Sequence, residues 1–151
     1  MKILMTILML TSFLCVKAQD LTLKGRIISE DLEALPEAKI YSNKDELLGT
    51  TDIEGKFEIS IPNDVLTLYI SYVGMEHTVI ELSDDCNVLE VIVMIDAIYD
   101  FMSQKRVDRL RKKRFKKLPK LHKEAFEKGL FKTDKACYTQ KFTPYSKKKQ
   151  K

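Results

Sequence analysis

Gly49-Thr50-Thr51-Asp52-Ile53-Glu54-Gly55-Lys56-Phe57-Glu58-Ile59-Ser60-Ile61-Pro62 is the stretch that decides the fold. Phe57, Ile59 and Ile61 alternate with Lys56, Glu58 and Ser60, and a period of two places the three apolar side chains on one face of a strand. The preceding Asp52-Ile53-Glu54-Gly55 reads as a tight turn, because aspartate accepts backbone N–H groups and glycine adopts positive φ. Leu47 to Thr51 then enters that turn as a short strand, and Pro62-Asn63-Asp64 ends the strand leaving it. Upstream, Leu21, Leu23, Gly25 and Ile27 alternate with Thr22, Lys24 and Arg26. A loop from Ser29 to Glu37 contains Pro36, and Ala38 to Ser42 resumes as a strand. Downstream, Leu66, Leu68, Ile70 and Tyr72 alternate until Val73-Gly74-Met75 breaks the run. His77 to Leu82, the polar turn Asp84-Asp85-Cys86-Asn87 and the apolar run Val88 to Ile95 complete the pattern. Seven short strands with regular turns and no intervening helix predict a mainly β protein, a seven-stranded antiparallel sandwich.

The chain has 151 residues, enough for one ordinary domain and too few for a two-domain enzyme. Its 44% apolar content excludes a disordered chain, and its 3 cysteines exclude a disulfide-built miniprotein. The formal net charge of +4 conceals two opposed blocks. Gln19 to Ser103 carries 18 acidic and 5 basic residues, a net of −13, whereas Gln104 to Lys151 carries 19 basic and 4 acidic residues, a net of +15. The break near Ser103 is the strongest boundary in the chain.

The N-terminus reads as an address. Met1-Lys2, the apolar run Ile3 to Val16 and the exit Val16-Lys17-Ala18 have the layout of a secretory signal peptide. The run is shorter than the roughly 20 residues a membrane-spanning helix needs. Leu14 directly before Cys15 suits lipoprotein processing poorly. The expected organisation is a signal at 1–18, a sandwich at 19–96, a basic helical extension at 97–131 and a basic loop and disordered tail at 132–151. The expected destination is the periplasm or outer membrane, or the exterior.

Five strings carry a family resemblance. The first three are Gly25-Arg26-Ile27, then Leu35-Pro36-Glu37-Ala38-Lys39-Ile40, then Gly49 to Ile59 as quoted above. Leu68-Tyr69-Ile70-Ser71-Tyr72-Val73-Gly74-Met75 and the closing Leu89-Glu90-Val91-Ile92-Val93 follow in order. Together, over Leu21 to Asp96, they resemble the carboxypeptidase-like regulatory domain. The resemblance implies a transthyretin-like sandwich related to immunoglobulin-like folds. Such domains stand beside secreted carboxypeptidases, at the N-termini of TonB-dependent outer-membrane receptors, and alone in envelope proteins. The motif residues have structural roles: Gly55 and Gly74 turn the chain, Asp52 caps a turn, and Phe57 and Tyr72 fill the core.

Nothing in the sequence assembles a catalyst. A zinc peptidase needs a His-x-x-Glu pair and a further histidine, and only His77 and His122 exist. Both are expected on a strand edge or an exposed helix, without ligand duty. No nucleophile elbow, phosphate loop or dinucleotide fingerprint occurs. The pairs Asp45-Glu46 and Asp84-Asp85 lie in turns, where solvated carboxylates are the default. No cofactor or metal is expected, and the chain reads as a non-enzyme.

Cys86 and Cys137 are the two cysteines beyond the signal. An oxidising compartment permits a disulfide stapling the basic segment to the sandwich, with two free thiols as the alternative. Asp96 to Lys117 reads as a helix, and Pro119 opens a second one that Gly129 stops. Along the first, Ile98, Phe101, Met102, Val107, Leu110, Phe115 and Leu118 form an irregular stripe. Along the second, Leu121, Ala125 and Phe126 are expected toward one side. Candidate partner-binding residues are Arg106, Arg109, Arg111, Lys112, Lys113, Arg114, Lys116 and Lys117. Three roles compete for this block. It packs on its own acidic domain, it meets an envelope protein or anionic membrane surface, or it binds nucleic acid, which export disfavours. The expected function is a non-catalytic exported docking or scaffold module. The rival reading is an accessory subunit of an envelope enzyme or outer-membrane transport system.

Overall fold

The computed structural model describes residues 20–42, 46–62, 64–83 and 86–145. The expected signal at 1–18, Asp45, the Asp84-Asp85 pair and the terminal run 147–151 lie outside the described residues. In chain order the elements are β1 (Leu21–Ser29), β2 (Lys39–Tyr41), β3 (Leu47–Thr50), β4 (Lys56–Ile61), β5 (Thr67–Ser71), β6 (Thr78–Leu82), β7 (Val88–Val93), α1 (Gln104–Phe115), α2 (Leu118–Glu127) and β8 (Tyr138–Lys141). They form a three-stranded sheet in the order β4-β1-β7 and a five-stranded sheet in the order β3-β2-β5-β6-β8. The molecule is a β-sandwich with a helical extension, as the alternation indicates.

In β4, Phe57, Ile59 and Ile61 are buried and the residues between them are exposed. With Leu23, Ile27, Leu89 and Val91 of the same sheet they meet Ile40, Leu68, Ile70 and Ile80 of the other. Each such aliphatic side chain contributes about 1.5–3 kcal/mol relative to exposure. The turn ahead of β4 is built as its residue types require. One Asp52 carboxylate oxygen accepts the N–H groups of Glu54 (2.9 Å) and Lys56 (2.8 Å), and Gly55 sits at φ 75°. The buried Thr51 hydroxyl accepts Ala38 N–H at 2.8 Å and donates to Leu35 O at 2.5 Å, which fixes the long loop onto the sheet.

Two details differ from an all-antiparallel, seven-stranded arrangement. First, β1 pairs with β7 in parallel, Gly25 lying opposite Leu89. A Cβ at Gly25 would stand 1.8 Å from Leu89 O, so only glycine admits this approach. Second, the region expected as loop and tail contributes β8, which pairs antiparallel with β6. Tyr138 Oη donates to Glu90 O at 3.0 Å and Gln140 Nε2 to Ile92 O at 3.3 Å, so β8 also covers carbonyls along β7. A disulfide joins Cys86 to Cys137 just ahead of these two strands.

The helices cover the outer face of the smaller sheet. Ile28, Ile92 and Met94 form a second core with Leu118, Ala125 and Phe131. β7 is consequently buried along both faces and needs no polar alternation, which accounts for its run being apolar apart from Glu90.

The first helix begins at Gln104, not at Asp96. Ile95 bridges to Met75 and Asp96 N–H donates to Gly74 O at 2.9 Å, so the sheet holds the chain extended here. Phe101, at φ 58°, is incompatible with a helix. Ile98, Phe101 and Met102 are exposed, and of the irregular stripe only Val107 and Leu118 are buried. On α2 the buried side chains are Leu118, His122 and Ala125, whereas Phe126 faces outward. Pro119 lies in the first turn of α2, and Gly129, at φ 72°, follows its end.

Candidate functional site

Three carboxylates of the sandwich receive the C-terminal segment. Glu76, between β5 and β6, accepts Arg111 Nε at 2.8 Å and Nη2 at 2.6 Å, with both side chains almost wholly buried. Arg111 Nη1 also donates to Asp108 Oδ1 at 3.2 Å and to Thr143 O at 3.0 Å. The guanidinium carbon lies 3.6 Å from the Tyr145 ring centroid and 5.2 Å from that of Phe142. Burial alone would lower the Arg111 pKa. The hydrogen bond and charge of Glu76 outweigh that and leave it raised. Burial pushes the Tyr145 phenol up to about 12, aided by its donation to Asp96 Oδ1 at 2.8 Å.

Glu30, after β1, accepts from Arg114 through both carboxylate oxygens and takes Ile95 N–H at 2.9 Å. Arg114 also donates to Tyr99 Oη at 3.0 Å and Ile95 O at 2.7 Å. The Glu30 hydrogen bond, against some desolvation, holds the Arg114 pKa above its ordinary value. Glu90, inside β7, accepts the N–H groups of Lys132 (2.6 Å) and Thr133 (3.0 Å) and the Thr133 hydroxyl (2.7 Å). It thereby fixes the segment following α2.

The eight candidate basic residues divide accordingly. Arg111 and Arg114 are consumed by the fold. Arg106, Arg109, Lys112, Lys113, Lys116 and Lys117 are exposed and form no ion pair among the described residues. The two arginines cannot be told from the six others by sequence. The one advance signal was Glu90, an acid inside an otherwise apolar run.

His77 is exposed, but His122, expected on an exposed helix, is buried beneath Phe131 with ring centroids 4.8 Å apart. Desolvation lowers its pKa, opposed by the nearby charges of Glu90 and Asp134. Its Nε2 has no hydrogen-bond partner among the described residues. A cleft of about 560 Å3 adjoins it, walled by Ile92, Phe115, Leu118, Pro119 and Tyr138. Burial raises the Tyr138 phenol pKa. Among the described residues no three histidine, cysteine or carboxylate side chains cluster to hold a metal. No described helix is long and apolar enough to cross a membrane.

The arrangement defines a mainly β sandwich domain with a helical C-terminal extension. Residues 23–97 match the CarboxypepD_reg-like domain, and through it the chain belongs to that family. The match runs from β1 to just past β7 and leaves α1, α2 and β8 outside. Comparison with curated proteins and with solved structures gave no match.

Proposed function

We propose that the chain is a non-catalytic binding or scaffold module of the cell envelope, in which the sandwich presents the basic face of α1 to an anionic partner. The observation that carries this reading is the division of the basic block. Two arginines tie the extension to the sandwich, and six basic side chains stay exposed without an ion pair among the described residues. A solvated charge usually contributes little, but aligned charges near an anionic surface contribute about 1 kcal/mol each. The regulatory-like family supports a binding role over catalysis. The signal-like N-terminus and the disulfide support an oxidising compartment.

The test is a pull-down from envelope extract with the chain beginning at Gln19, at low and at high salt. A triple reversal, Arg106→Glu, Arg109→Glu and Lys113→Glu, is run in parallel. Capture that weakens with salt and vanishes in the reversed variant is expected. Capture indifferent to both would overturn the reading. Salt-resistant recovery of an enzyme or transport subunit would favour the accessory-subunit alternative.

A further inference from the structure

The connection between β7 and α1 combines features that folding alone does not explain. Phe101 is fully exposed at 108% and Ile98 is 88% exposed, while Met102 beside them is 38% exposed. Phe101 also occupies the left-handed region at φ 58°, costly for a bulky side chain. An aromatic group in strained backbone and in water is destabilising twice over. The neighbouring turn adds Val73, 92% exposed, and its Gly74 O accepts Asp96 N–H at 2.9 Å, so turn and connection lie at one end of the sandwich. α1 starts directly after this knuckle, and its exposed Lys105, Arg106 and Arg109 form no ion pair among the described residues.

We propose that the knuckle of Ile98, Phe101 and Met102, with Val73 on the adjoining turn, dips into an anionic lipid surface while Lys105, Arg106 and Arg109 engage its headgroups. This rests on the reading of α1 as a partner-facing surface and names the partner. Separate apolar tips on two loops suit an interfacial lipid layer better than a shape-complementary protein groove. The nearby acids do not oppose it strongly. Asp96 is occupied by Tyr145, and Asp100 is one acid in a stretch that also carries Lys105, Arg106 and Arg109. Another strongly exposed apolar side chain, Ile53, is flanked by Asp52 and Glu54 and is no part of the surface.

The chain contains no tryptophan, so Phe101→Trp is a single reporter. With the chain beginning at Gln19, vesicles of phosphatidylcholine alone are compared with vesicles also containing phosphatidylglycerol. A blue-shifted emission quenched by brominated lipid is expected on the anionic vesicles. Ile98→Ser with Phe101→Ser is expected to weaken sedimentation roughly tenfold while leaving Tm unchanged. Binding with unshifted Trp emission would overturn insertion and leave the basic-face reading standing. Absence of vesicle binding alongside salt-sensitive capture of an envelope partner would reject lipid alone, and loss of both would reject both readings. A blue shift that grows with protein concentration without vesicles would assign the knuckle to a second copy, against the proposal.

Discussion

Arg111 and Glu76 close on each other through two parallel N–H···O bonds at the point where α1, the β5–β6 connection and the C-terminal segment meet. Tyr145 lies over the guanidinium, and its N–H donates to Asp108 Oδ1 at 2.8 Å, so one arginine organises three parts of the chain. Removing one partner of a buried pair strands the other charge. Arg111→Met should cost about 3–5 kcal/mol in guanidinium unfolding. Arg111→Met combined with Glu76→Gln should cost distinctly less than Arg111→Met alone. Equal costs would mean that the charge of Glu76 is not what the arginine compensates.

The Cys86–Cys137 disulfide spans 51 residues and anchors β8. Replacing both cysteines by serine should lower stability by about 2–4 kcal/mol. The loss should be accompanied by faster amide exchange in β8 and along β6. Alkylation without reductant should label neither cysteine in the native protein.

Gly25→Ala tests the parallel pairing of β1 with β7. The added methyl would meet backbone, Leu89 O at 1.8 Å, and backbone cannot rotate away. The variant should fail to accumulate as folded protein, whereas Gly74→Ala, with open space around it, should lose only the cost of its φ of 76°. Comparable solubility and Tm for the two would refute the tight approach.

His122 makes stability depend on pH. Its folded pKa is lowered, first by burial, so below the unfolded value near 6.5 the unfolded chain binds the proton more readily. Stability is therefore full above that value and falls as pH drops toward the folded pKa. Glu90 and Asp134 face the imidazole and moderate the loss. His122→Phe should flatten the acid side of a Tm–pH profile between pH 7 and 5. An unchanged slope would place the sensitivity elsewhere.

The sandwich strands were legible because water covers one face of most of them. Lys56, Glu58 and Ser60 mark the exposed side of β4 as clearly as Phe57, Ile59 and Ile61 mark the buried one. α1 was less legible, since its buried face holds Asp108 and Arg111 alongside Val107 and yields no apolar stripe. β8 was hidden in a basic segment, because Thr139 and Lys141 point to solvent and the buried Tyr138 phenol finds its acceptor in a distant carbonyl, Glu90 O.

Sequence by itself determined the sandwich, its turns, the family and the separation of acidic from basic halves. These depend on neighbours in the chain: alternation with a period of two, an aspartate and glycine three residues apart, runs of like charge. Only the tertiary structure decided which charges are spent. Arg111 and Arg114 differ from Arg106 and Arg109 solely in that Glu76 and Glu30 lie within reach across the fold. Ion pairing acts through space over a few ångströms, and residues 35 and 84 positions apart come that close only once both sheets and the helix have packed.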